Sequence, residues 1–233
     1  MQKIEKPEDF DQAFEAPGVL EQAIPFEKEL AVIVARRPGG EVKTFPVVEM
    51  VFHPVKHLVE FLFAPAEIPA EAEAKATALA VRVAEAFGVT GLLAVEMFLT
   101  TEGEVLVNEV APRPHNSGHH TIRANVTSQY EQHWRAILDL PLGDTTAYAP
   151  AAMINLLGED GFEGPAVYEG METLLAEKQV FPFLYGKKIT KPFRKMGHVT
   201  IMDDDLEHLR AKTAFVKDNI RVTSPELQLR DRK

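Results

Sequence analysis

The chain has 233 residues, 45% of them hydrophobic, enough for one large domain or two smaller ones with a real core. Its formal net charge of −10 argues against a nucleic-acid surface, and the absence of cysteine excludes a disulfide frame, a thiol nucleophile and a Cys-based metal site. No apolar run approaches the roughly 20 residues that span a bilayer, and no apolar segment of a signal peptide follows Met1, so the composition suits a reducing cytoplasm and no membrane.

Residues 6–15 (KPEDFDQAFE) predict a short helix, with proline and acids in the first turn where the helix dipole favours them. A strand is expected to begin at Val19–Glu21, and residues 29–36 (ELAVIVAR) predict another. Pro38-Gly39-Gly40 is a turn, and residues 44–49 are its return strand. The spacing of Ala72, Ala76, Leu79, Val83 and Phe87 predicts a helix over 69–87 with that stripe in the core, closed by Gly88. Ser128-Gln-Tyr-Glu131 has the form of a capping box, opening a helix that places Tyr130, Trp134, Ile137 and Leu138 on one side, with Trp134 as a core anchor. Residues 147–152 read as the join to a smaller C-terminal unit, with strands at 153–157 and within 179–190. Asp203-Asp204-Asp205 caps a last helix that turns Leu206, Leu209, Thr213 and Val216 inward, and a polar tail follows about residue 222. The fold class is therefore α+β, an antiparallel sheet with flanking helices.

The chemistry concentrates in residues 91–120, GLLAVEMFLTTEGEVLVNEVAPRPHNSGHH. Residues 91–99 and 104–110 are rich in Val, Leu, Met and Phe and read as two strands. If Glu102-Gly103 is a two-residue loop, Thr101 pairs with Glu104, Phe98 with Val107, and Glu96 falls opposite Glu109. Two facing carboxylates between apolar neighbours need compensation, by a shared proton or a divalent cation; Mg²⁺ suits a pair of carboxylates that leaves room for water and phosphates. A solvated outer face is the plainer alternative. Arg113-Pro-His115-Asn116-Ser117-Gly118-His119-His120 follows at once, a dense set of donors suited to an anion-binding loop. A zinc site on His115, His119 and His120 is a further alternative, although no further ligand is evident.

The string EMF…VNEVAPRPHNSGHHT resembles the second metal-binding hairpin of the ATP-grasp enzymes. Within them it resembles the ATPase subunit of phosphoribosylaminoimidazole carboxylase, also called 5-(carboxyamino)imidazole ribonucleotide synthase. The resemblance implies that Glu21-Gln22-Ala23-Ile24 hold the adenine edge and that Glu29 accepts from the ribose hydroxyls. It adds Asn108 and Glu109 to the ATP site, and Glu96 and Glu109 as Mg²⁺ ligands. Arg113 and His115 would face the reacting centre. Asn116, Ser117 and the cluster Lys187, Arg194 and Lys195, within a family form close to YGKxExRPGRKMGH, would bind the substrate and its ribose phosphate.

Met50, Phe52, Ile189, Lys191 and Phe193 depart from the family's usual residues, and His53 stands one place late. The implied boundaries are a lid remnant at 1–20, a nucleotide- and metal-binding domain at 21–147, a small β-rich unit at 148–222 and the tail at 223–233. The implied reaction is ATP- and Mg²⁺-dependent carboxylation of aminoimidazole ribonucleotide with bicarbonate, through carboxyphosphate, in purine biosynthesis, by a homodimer. The family's first domain and glycine-rich loop have no counterpart here. The chain is thus expected to be a C-terminal portion, or else a non-catalytic nucleotide-binding fragment.

Overall fold

The computed structural model describes residues 2–52 and 59–225; His53 and the end of the tail lie outside them. A 3₁₀ turn at Pro7–Gln12 takes the place of the expected 6–15 helix. No strand forms at Val19–Glu21, where the chain has no regular secondary structure until β1, Phe26–Arg36. β2 (Val42–Thr44) and β3 (Val48–Phe52) divide the expected return strand, and β4 (Val59–Ala64) follows. α1 (Ala70–Ala86) leads to the hairpin β5 (Gly91–Thr100) and β6 (Val105–Ala111), then to the short α2 (Thr121–Ala124) and to α3 (Gln129–Ile137). Beyond these lie β7 (Ala151–Leu157), β8 (Gly164–Pro165), β9 (Val167–Glu169), α4 (Met171–Ala176) and β10 (Val180–Leu184). β11 (Ile189–Thr190), β12 (Lys195–Met202), α5 (Leu206–Asn219) and β13 (Arg221–Thr223) complete the described chain.

One antiparallel sheet of nine strands runs β10-β12-β7-β4-β3-β1-β5-β6, with β2 also beside β1. β4 pairs with β7, so the strands on either side of residues 147–152 form one continuous sheet. α1 covers one face with Ala72, Ala76, Ala80 and Ala84, small enough to sit close on Leu30, Val32, Leu93 and Val95. α5 covers the far end of that face, against Ile154, Leu156, Val199 and Ile201. α3 covers part of the opposite face, around Ile33, Leu92 and Ala94.

The register places the site on that second face. Glu29 pairs with Phe98 and Met50, Met50 with Leu62, Leu62 with Met153, and Asn155 with His198. Because side chains alternate with period two, Glu29, Glu96, Glu109, Met153, Asn155 and His198 all project from one face.

Several inward faces differ from expectation. Phe87, one residue beyond the end of α1, is exposed. α3 is inverted: Gln129, Gln132 and Ala136 are buried, whereas Tyr130, Trp134, Ile137 and Leu138 are exposed, Trp134 by 60%. The buried glutamines satisfy loop backbone, which an apolar side chain could not do. Ser128 does cap this helix, accepting from the Glu131 N–H. Asp205 caps α5, where Leu209, Thr213 and Val216 point inward but Leu206 does not.

Candidate functional site

The β5–β6 turn is one residue longer than expected. Thr100 N–H bonds to the Glu104 carbonyl, and Gly103 N–H closes the turn onto Thr100 while Gly103 holds φ +78°, which glycine adopts without strain. This shifts the register, so Phe98 meets Leu106 and not Val107. A bulge at Asn108 then restores it, and Glu96 pairs with Glu109 as the spacing predicts. The bulge sets two residues, Asn108 and Glu109, opposite one, a device that re-aims side chains next to sites.

Glu96 is only 8% exposed, and its carboxyl is pushed up to about 7, first by burial and then by the fields of Glu109 and Glu29. Burial alone holds the half-buried Glu29 at about 6. Three acids thus converge on one patch, beside the stacked rings of Phe26 and Phe98, whose centroids lie 4.6 Å apart. In sequence, the exposed run Glu21–Ala23 and the partly buried Ile24 precede β1.

The loop after β6 folds back onto these acids. His115 Nε2 lies 3.2 Å from Glu96 Oε1. Ser117, buried, directs both its N–H and its hydroxyl oxygen at His115 Nδ1. A backbone N–H can only donate, so Nδ1 accepts and the ring proton sits on Nε2, facing the carboxylate. Burial, with the nearby charges of Arg113 and Lys195, holds His115 down at about 4, so a neutral imidazole donates to Glu96. Gln129 fastens the loop from behind: Oε1 accepts from the His115 N–H at 2.8 Å and Nε2 donates to the His115 carbonyl at 2.8 Å. Gly118 makes room for that side chain, as a Cβ there would lie 2.6 Å from Gln129 Oε1.

The expected substrate residues separate into two groups. Lys195 stands at the site: its charge is felt at Glu96, His115 and His119, and burial lowers its own pKa. Arg113 is exposed beside it, one guanidinium nitrogen on the Pro114 carbonyl. Lys187 instead donates to the Lys195 carbonyl, and Arg194 to the Ile189 carbonyl. Asn116 pairs both ends of its amide with Asn155, at 2.8 and 3.0 Å, tying the loop to β7. Among the described residues no three His, Cys, Asp or Glu side chains form a metal-ligating group. His115, His119 and His120 spend ring nitrogens on Ser117, on Gln129 and in the interior, so the zinc alternative finds no support. The paired acids do fit a hard cation that needs only one or two carboxylates.

Gln129 and Asn155 escape the sequence reading. A polar residue on a helix or strand gives no local sign that it will be buried against a loop many residues away.

The family model of the ATP-grasp domain matches residues 1–130. The chain belongs to the ATP-grasp family. The model of the phosphoribosylaminoimidazole carboxylase C-terminal domain matches residues 151–212. The N5-carboxyaminoimidazole ribonucleotide synthase of Bacillus subtilis is 46% identical over 184 residues, 79% of this chain and 46% of that protein. The phosphoribosylaminoimidazole carboxylase of Saccharomyces cerevisiae is 37% identical over 215 residues, 90% of this chain and 37% of that protein. The crystal structure of the Thermotoga maritima N5-carboxyaminoimidazole ribonucleotide synthetase superposes with a TM-score of 0.88 at 46% identity, over 94% of this chain and 59% of that one. A structure from Aspergillus clavatus in complex with ADP and aminoimidazole ribonucleotide gives 0.74 at 32% identity, over 84% of this chain and 53% of that one. This ATP-grasp chain spans roughly a third to a half of the length of the curated relatives it matches. No helix among its described residues is long and apolar enough to cross a membrane.

Proposed function

We propose that this chain carries the metal, nucleotide and carboxylation half of an N5-carboxyaminoimidazole ribonucleotide synthase. In this reading ATP and bicarbonate form carboxyphosphate, and the exocyclic amine of aminoimidazole ribonucleotide takes up its carboxyl carbon, giving ADP, phosphate and the carboxyamino product. The observation that carries the reading is the cross-strand pair of buried Glu96 and exposed Glu109, with a neutral His115 donor on Glu96.

Glu96 and Glu109 would hold Mg²⁺, which supplies charge neutralisation at the nucleotide phosphates. Glu29 would take the ribose diol, and Glu21–Ile24 with Asn108 would border the nucleotide. His115 keeps the Glu96 carboxylate oriented by donating from Nε2. Arg113 matches a planar dianion bidentately, which suits it to carboxyphosphate, and Lys195 adds a point charge. Lys187 and Arg194 support the Lys195 strand and its turn until substrate draws them in. Asn116 and Ser117 hold the loop in shape.

Calorimetric titration of MgADP into the chain tests this. Magnesium-dependent binding that disappears in a Glu96→Ala, Glu109→Ala variant is expected, and binding indifferent to those changes would refute the site. Binding without turnover would favour the second reading, a non-catalytic nucleotide-binding fragment. A homodimer belongs to the same proposal and is checked by sedimentation velocity. In a chain reconstituted with the family's N-terminal part, Arg113→Lys should alter the bicarbonate dependence of ATP turnover; an unchanged dependence would remove Arg113 from that role.

A further inference from the structure

Four rings meet behind the loop that carries Arg113 and His115. His119 stacks beside Tyr130 with centroids 5.9 Å apart, meets Tyr185 edge-on at 6.2 Å, and lies 5.1 Å from His198. His198 and Tyr185 are joined in turn, Nδ1 to hydroxyl, at 3.1 Å. The cluster therefore joins residues on the loop and α3 to residues on and just after β10 and on β12.

The hydrogen bonds around His119 settle where its proton lies. Gln129 Oε1 is already committed to the His115 N–H, so the other end of that amide is a donor only. One of its N–H bonds reaches the His115 carbonyl, and the other reaches His119 Nδ1 at 2.9 Å. Nδ1 is thus an acceptor, shared with the Tyr130 hydroxyl at 3.1 Å, and the ring proton sits on Nε2. His119 Nε2 has no hydrogen-bond partner among the described residues, and it is not sealed from solvent as His120 Nδ1 and Thr200 Oγ1 are. Burial, with the neighbouring His198 and Lys195, holds His119 near 3, which keeps the ring neutral.

We propose that His119 presents its Nε2–H as a neutral donor to an oxyanion of the substrate held by Arg113 and Lys195, with Gln129 as the residue that positions it. The inference rests on the site reading above. A neutral donor beside Lys195 adds direction without adding a third positive charge. Its orientation is imposed from two sides, by the amide of Gln129 and by the flanking rings. The oxygen belongs either to a sugar phosphate monoester or to a carboxy group.

The test uses the full chain labelled with ¹³C and ¹⁵N in histidine. Ring resonances report the tautomer, and ribose 5-phosphate and bicarbonate are titrated separately. The expected result is an Nε2–H tautomer whose Nε2 resonance moves with one of the two anions, which also identifies the source of the oxyanion. His119→Phe should weaken that anion about tenfold, the value of one hydrogen bond, whereas His119→Gln, which keeps a donor, should stay within about threefold. Gln129→Glu should place the proton on Nδ1 and lose the anion with the ring still present, an effect that mere packing would not produce. An Nδ1–H tautomer in the parent chain, no response to either anion, or equal binding by His119→Phe would each overturn the inference. MgADP binding is scored separately. Anion binding through His119 without MgADP binding would sink the nucleotide reading and leave this inference standing; the converse would do the reverse.

Discussion

Replacing Gln129 by leucine should loosen the loop that carries the site. The two side chains are close in volume, so the change removes hydrogen bonds with little effect on packing. Gln129 is fully buried and its side chain makes three hydrogen bonds, to the N–H and carbonyl of His115 and to His119 Nδ1. Each bond contributes about 1 kcal/mol net, and stranding a partly buried backbone group adds more, for a gross loss of about 3–5 kcal/mol. Burying leucine in place of the amide returns about 1 kcal/mol of this. The net destabilisation of about 2–4 kcal/mol corresponds to a fall in the urea midpoint of about 1–2 M for a slope near 2 kcal/mol/M. Urea unfolding followed by far-UV circular dichroism measures it. A loss below about 0.5 kcal/mol would show that the loop does not depend on this amide.

Other outcomes follow from the same geometry. His115, His120 and His198 are held at about 4 and His119 at about 3, all below an unfolded value near 6.5, so the unfolded chain binds more of these protons and stability falls as pH drops below 6.5. Glu96 at about 7 and Glu29 at about 6 oppose this, being protonated more readily in the fold than in the unfolded chain. Four histidines against two acids leave a net loss of about 2–3 kcal/mol per pH unit between pH 6 and 4.5, which thermal unfolding across that range would measure. Gly170→Ala should cost about 2–4 kcal/mol, because Gly170 holds φ +84° and the new Cβ would lie 1.7 Å from the Asn219 carbonyl oxygen. Trp134→Ala should cost less than about 1 kcal/mol, since the ring is 60% exposed; a loss of about 3–5 kcal/mol would place it in a core after all.

The contrast between Trp134 and Gln129 shows how far the sequence reaches. Local patterns are strong where a chain segment decides its own structure. The helix α1 with Ala72 and Ala76 inward, the strands of the hairpin, the caps at Ser128 and Asp205 and the facing of Glu96 with Glu109 were all legible, while the rest of the α1 stripe falls to Ala80 and Ala84. The last of these was reached through a register that the structure corrects in two places, a longer turn and the bulge at Asn108. The family resemblance was likewise carried by a contiguous string, which lies inside the stretch that the ATP-grasp model matches.

What lay beyond the sequence was which distant side chain would use each polar group. Asn116 meets Asn155 across 39 positions, and His119 meets His198 across a longer interval, because β7 and β12 join the same sheet as β5. The inward face of α3 was equally out of reach, since hydrophobic periodicity assumes an apolar interior. Here Ala136 meets the apolar sheet, but the rest of the interior opposite the helix includes loop backbone that must be hydrogen-bonded, and the partners it needs are glutamines. Composition and spacing determine which elements form; only their assembly decides which buried donors and acceptors face one another, and in this chain that pairing shapes the site.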